Sequence, residues 1–139
     1  MTRSPVVPVP KDSRGMGNGA AITENLQCHD GGGKMRIAVL GGDGYCGWAT
    51  ALYLSKQGHS VAIVDNFIRR QWDHELGAQT LTPIRPLTDR LRVWQKLTGR
   101  NIDVFTGDVT DYDFLSSTIQ AIEPEAVVHF AEQRSAPYS

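Results

Sequence analysis

The chain reads as an α/β protein built on a parallel sheet wound with helices on both faces. Three observations predict this. Short apolar runs at Ile37-Ala38-Val39-Leu40, Val61-Ala62-Ile63-Val64 and Ala126-Val127-Val128-His129-Phe130 alternate with stretches of helical period, the pattern of strands joined by helical crossovers. Glycines spaced three apart, Gly41, Gly44 and Gly47, follow the first run directly. An acid, Asp65, ends the second run 18 residues after Gly47.

Taken in order, residues 1–34 hold Pro5, Pro8, Pro10 and six glycines with few large apolar groups. Such a stretch cannot bury enough surface to offset its ordering entropy, so a flexible extension is expected there. Met35 is a candidate start of the native fold, and residues 35–139 are expected to form the folded part. The first strand is predicted at 36–40. A helix over 44–57 follows, with Trp48, Ala51, Leu52 and Ser55 at helical spacing and Gly58 as its C-terminal stop. The second strand is predicted at 60–65. Phe67 to Gly77 suggests a short helix, Pro83 and Pro86 mark a loop, and Leu87, Leu91, Trp94 and Leu97 predict a helix ending near Gly99. This excursion is longer than a minimal crossover requires.

The third strand is predicted at Ile102–Thr106, ending in Gly107-Asp108-Val109. Thr110-x-x-Asp113 looks like a capping box for a helix carrying Leu115, Ile119 and Ile122. The fourth strand, 126–130, is a continuous apolar run and is expected to be buried on both faces. The topology rule for such units gives the strand order 3-2-1-4, a Rossmann-type sheet, with the ligand at the carboxyl ends where the order reverses. Gly41, Asp65, Asp108 and Ala131 should converge there.

The glycine loop explains which ligand. Gly41 permits a tight turn, Gly44 lets a pyrophosphate approach the backbone, and Gly47 lets the helix pack against the strand. The amides and positive dipole end of that helix then face the anion. Asp65 is placed to accept hydrogen bonds from the adenosine ribose hydroxyls.

Composition narrows the alternatives. The 139 residues carry a net charge of −1, against a dedicated nucleic-acid binder. Arg69, Arg70, Arg85, Arg90, Arg92, Lys96 and Arg100 outnumber Asp73, Glu75 and Asp89 between 69 and 100; the bland account is a solvated helix face, the functional one a contact with nucleotide anions. No apolar run is long enough for a membrane span, and the N-terminus lacks a secretory core and fits a transit peptide poorly. Cys28 and Cys46 form no disulfide framework, so a cytoplasmic location is expected, with a plastid left open. Cys28-His29-Asp30 lacks a second ligand pair, so no metal site is expected. Cys46, at a helix N-terminus, and His129, in a strand, are read as packing residues, as are Trp48 and Trp94.

Several segments together resemble the UDP-sulfoquinovose synthases, a family of extended short-chain dehydrogenases/reductases. They are Tyr45-Cys46-Gly47-Trp48, Asp65-Asn66, Arg69-Arg70, Asp73-His74, Leu81-Thr82-Pro83, Gly107-Asp108 and the stretch His129 to Ser139. The glycine loop and Gly107-Asp108 are shared with sugar-nucleotide epimerases and dehydratases, whereas Glu132 to Ser139 is specific. The resemblance implies an NAD-dependent enzyme that makes UDP-sulfoquinovose, a sulfolipid head-group precursor, from UDP-glucose and sulfite.

It further implies that Gly41, Gly44, Tyr45, Cys46 and Gly47 hold the cofactor's diphosphate. Asp65 would bind the ribose with Asn66 and Arg69 beside it, and Asp108 and Val109 would meet adenine. Ala131, Glu132 and Gln133 would run toward the nicotinamide, and Arg134 would face the sugar or its anionic partner. Asp65 favours NAD over NADP by repelling a 2′-phosphate, while Arg69 and Arg70 keep NADP as an alternative.

The family's catalytic Thr and Tyr-x-x-x-Lys set has no counterpart here; Tyr53 has Lys56 at the wrong spacing. No catalytic residue is therefore assigned within the chain. It is expected to be an N-terminal piece of a longer enzyme, inactive alone and poorly soluble through a bare edge at the fourth strand. Members of the resembled family commonly dimerise through helices outside this chain, which leaves a homodimer open for the full-length enzyme. Two alternatives stand beside this reading: another NAD-dependent epimerase or dehydratase, and a non-catalytic NAD-binding module.

Overall fold

In a computed structural model of the chain, residues 33–78 and 81–132 are described. The expected extension, Cys28-His29-Asp30, Gln133 and Arg134 lie essentially outside them. The elements are β1 (Arg36–Leu40), α1 (Tyr45–Lys56), β2 (Ser60–Asp65), α2 (Ile68–Glu75), α3 (Leu87–Thr98), β3 (Ile102–Thr106), α4 (Tyr112–Ile122) and β4 (Ala126–His129). They form one parallel four-stranded sheet in the order β3-β2-β1-β4. Val128, Val39, Ile63 and Val104 make one row across it.

The two central strands read as continuous apolar runs because both of their faces are covered. Ile37, Val39, Val61 and Ile63 point to one face, where Ala51 of α1 and Leu87 of α3 complete the core, with Trp48, Leu91 and Trp94 packed around it. The alternate residues Ala38, Leu40, Ala62 and Val64 are equally buried, and α4, which contributes nothing to the first cluster, lies against β1. Small residues let α1 sit close: Gly47, Ala51 and Ser55 form its buried stripe. Trp94 of α3 donates its indole N–H to the buried Ser55 hydroxyl at 3.1 Å, tying the excursion to α1.

Three sequence expectations change. The cap of α4 is Asp111, whose Oδ1 accepts from the amides of Asp113 and Phe114 at 3.0 and 3.1 Å. Thr110 instead turns back toward Asp108, because an aspartate two residues upstream offers its hydroxyl and amide a charged acceptor. The fourth strand is half-buried rather than buried on both faces. It pairs with β1 alone among the described strands, and Val127 is 51% exposed. In this chain the His129 side chain is exposed rather than packed, with Nδ1 3.6 Å from Glu132 Oε1.

Candidate functional site

All four strands end on one side of the sheet, and backbone hydrogen bonds carry the ladder past them. The Gly41 amide donates to Val64 O at 2.8 Å, Phe130 N to Leu40 O at 2.8 Å and Gly107 N to Asp65 O at 3.2 Å. The post-strand turns are thereby gathered around a cleft of about 870 Å³, within the usual range of small-molecule sites. A second hollow of about 550 Å³ is walled largely by Trp48, Leu52, Val93, Trp94 and Leu97. Arg85, Asp89 and Arg90 complete its lining, and it touches neither the glycine loop nor any strand end.

At the floor of the cleft, two glycines have steric reasons to be glycines. Gly41 has a φ of +79°, and a Cβ there would lie 2.7 Å from Ala131 N. A Cβ on Gly47 would lie 2.2 Å from Gly41 O. Without a side chain there, α1 packs directly against the turn. No side chain caps α1, and the first intrahelical donor is Trp48, bonded to Gly44 O at 2.9 Å. The amides of Tyr45, Cys46 and Gly47 therefore precede the helical ladder. An uncapped helix start beside glycine backbone is a fit for a diphosphate. Gly41, Gly44, Tyr45 and Gly47 line the cleft. Cys46 does not, and it is exposed, so the expectation that its side chain packs against the turn is not met.

The rim is organised by carboxylates. Asp65 Oδ2 accepts from the Asp43 amide at 2.8 Å, and Oδ1 from the Phe67 amide at 2.8 Å. The second bond helps hold Phe67 in a left-handed conformation, φ 55°, at the start of α2. Each oxygen retains a second acceptor site for a ligand hydroxyl. Asn66 Oδ1 accepts from Ile68 N at 3.1 Å while its amide donates to Asp108 Oδ2 at 3.1 Å, linking the ends of β2 and β3. Asp108 Oδ1 accepts from the Thr110 amide at 2.9 Å and its hydroxyl at 2.8 Å. These bonds, the Thr110 amide first, hold the Asp108 carboxyl below the usual carboxylate range. It is an ionised acceptor at neutral pH, suited to an amino group such as adenine's. Val109, Ala131 and Glu132 of the expected set also line the cleft, and Arg69 stands exposed at its edge.

Sequence reasoning missed the role of Asp43. This residue is 6% exposed, inside the glycine loop. Its Oδ2 accepts from Arg70 Nε at 2.7 Å, its Oδ1 from Arg90 Nη2, and its backbone oxygen from Arg70 Nη2 at 3.2 Å. The Arg90 guanidinium also lies over the Trp48 ring, 4.6 Å from its centroid. The signal was present as an unexplained excess of arginines between 69 and 100 facing an aspartate in an otherwise neutral loop. Only the fold pairs residues 27 and 47 positions apart.

Comparison with known proteins agrees with this geometry. The profile of the NAD dependent epimerase/dehydratase family matches residues 37–139. The chloroplastic UDP-sulfoquinovose synthase of Spinacia oleracea is 48% identical over 139 residues, all of this chain and 28% of that protein. The UDP-sulfoquinovose synthase of Sulfolobus acidocaldarius is 45% identical over 105 residues, 76% of this chain and 27% of that one. The chain thus spans little more than a quarter of these relatives' length. A crystal structure of UDP-glucose-4-epimerase from Stenotrophomonas maltophila, with bound NAD and formylated UDP-arabinopyranose, superposes with a TM-score of 0.53 at 27% identity, covering 76% of this chain and 26% of that one. With the family profile running from the first strand through the last described turn, and the strand order and glycine cradle in place, the chain belongs to the NAD dependent epimerase/dehydratase family.

Proposed function

We propose that this chain is the NAD-holding N-terminal part of a longer enzyme that makes UDP-sulfoquinovose from UDP-glucose and sulfite. The observation that carries the reading is the 48% identity to the spinach synthase along the whole chain, against 32%, 35% and 30% for the UDP-glucose 4-epimerases of Neisseria gonorrhoeae, Erwinia amylovora and Yersinia enterocolitica. The cleft supports the cofactor. Gly41, Gly44, Gly47 and the amides of Tyr45 and Cys46 would hold the diphosphate, Asp65 the ribose, and Asp108 with Val109 the adenine. Asn66 and Arg69 would flank the ribose, and Ala131, Glu132 and Gln133 would lead toward the nicotinamide.

Bound NAD would supply a reversible hydride acceptor for a sugar carbon. The work of these residues is to bind and orient it, with Asp65 and Asp108 acting as hydrogen-bond acceptors and the helix start as an anion cradle. Arg134 is assigned to the sugar or the sulfite. Acid–base chemistry at the sugar is assigned to residues outside this chain. We place the enzyme in the cytoplasm or a plastid, the latter following the spinach relative's name, and a homodimer is left open for the full-length protein. Among the described residues, no helix is long and apolar enough to cross a membrane.

The test is to incubate the full-length protein with UDP-glucose, NAD and sulfite and separate the nucleotide sugars by anion exchange. A sulfite-dependent, more anionic product supports the reading. UDP-galactose without such a product replaces it with epimerisation, and no turnover with no NAD binding refutes it.

A further inference from the structure

Three arginines line the cleft, Arg69, Arg70 and Arg90, and two of them are occupied by one carboxylate. Asp43 takes Arg70 Nε and Arg90 Nη2 on its two oxygens, and its peptide oxygen takes Arg70 Nη2. The same residue donates its amide to Asp65 Oδ2 at 2.8 Å, so the ion-pair cluster adjoins the carboxylate assigned to the ribose. Arg90 is held further by the Trp48 ring and is 15% exposed at its side chain. Asp43 itself is 7% exposed there and Arg70 34%, so solvent screens the Arg90 pair poorly and the Arg70 pair more.

We infer that Asp43 is a second determinant of cofactor specificity: by sequestering Arg70 and Arg90 it denies a 2′-phosphate the cations that would otherwise receive it. This rests on the reading of the cleft as an NAD site and deepens it. The charges decide the matter. Asp43, Asp65 and Asp73, the last with Oδ2 3.9 Å from Arg70 Nη1, sum to zero with Arg69, Arg70 and Arg90. With Asp43 neutral, the same group carries one net positive charge and an arginine fork with vacant donors next to the ribose. A phosphate carries roughly −1.5 to −2 charges at neutral pH and binds arginine forks in bidentate fashion. An acid at the end of β2 repels such a group most effectively while Arg70 and Arg90 stay engaged by Asp43.

The experiment titrates NAD and NADP into the full-length protein by calorimetry, for wild type, Asp43→Asn, Asp43→Ser and Asp43→Asn/Arg70→Gln. In wild type NAD should bind far better than NADP. Each single variant should shift the NADP-to-NAD affinity ratio by about tenfold or more toward NADP, and Arg70→Gln should reverse most of that shift. A ratio that stays within twofold in variants that still bind NAD overturns the inference and leaves the NAD reading intact. Loss of both cofactors in both single variants makes Asp43 a structural pin of the loop and also overturns it. Failure of wild type to bind NAD sinks the parent reading, and this inference with it.

Discussion

Replacing Gly47 by alanine tests the joint between helix and loop on which the cleft depends. The added methyl would sit 2.2 Å from Gly41 O, 2.8 Å from Gly42 Cα and 2.9 Å from Gly41 C. All three neighbours are backbone, so no side chain can rotate away. The closest contact is 1.2 Å short of the 3.4 Å at which ordinary contact begins, so α1 must move outward or the turn must open. Overpacking of this kind costs about 1 to 3 kcal/mol, and a rigid backbone neighbour argues for the upper end. Alanine returns about 1 kcal/mol through helix propensity, leaving a net loss of about 2 kcal/mol. Binding should suffer more. Displacing the start of α1 by even part of that distance misaligns its free amides, and one lost hydrogen bond to a charged group is worth about 1.5 to 3 kcal/mol, or roughly ten- to a hundredfold in affinity. Urea unfolding reads the first effect and calorimetric titration with NAD the second, both on the full-length protein. Gly33→Ala is the control, since a Cβ there meets nothing within 4 Å. If Gly47→Ala shows a wild-type urea midpoint and binds NAD within twofold, the close packing of α1 on the turn is not what shapes the site.

Three other outcomes follow from particular bonds. Asp111→Ala should cost about 1 kcal/mol by removing the cap of α4, whereas Thr110→Ala should leave that cap intact; equal losses in amide protection along the first turn of α4 would contradict the assignment. Thr110→Val removes the hydroxyl bond to Asp108 but keeps the amide bond, so the carboxyl pKa should rise part of the way toward its ordinary value, as measured by NMR titration. The sign for stability follows from the depressed folded-state pKa: the Asp108 contribution is present above the unfolded value, about 3.9, and is lost as pH falls through the folded one. The variant should therefore lose it at a higher pH than wild type, on the acid side of about pH 4. Trp94→Phe strands the Ser55 hydroxyl, which is 1% exposed, and should cost about 1 to 3 kcal/mol; Trp94→Phe with Ser55→Ala should recover part of it, and no recovery in urea midpoints would argue against that bond.

Much of the fold was legible because its signals are local. The apolar runs at 37–40 and 61–64, the glycines at 41, 44 and 47, and Gly99 closing α3 in a left-handed conformation each act within a few residues. The strand order followed from the crossover rule. Where reading failed, two local options competed. Thr110 and Asp111 are both good caps, and Asp108 drew Thr110 away. His129 sits in an apolar run, and its exposure in this chain goes with β4 pairing to β1 alone among the described strands.

By itself, then, the sequence determined the βαβ frame, the position of the phosphate-binding turn and the acid at the end of the second strand. These follow from periodicity and from backbone conformations that only certain residues allow. Tertiary structure alone decided that Asp43 grips Arg70 and Arg90, that Asn66 bridges to Asp108, and that Trp94 reaches Ser55. Each of those bonds joins residues 27 to 47 positions apart. Charge and hydrogen-bonding capacity are written along the chain, but which partners meet is set by how the sheet brings distant turns together.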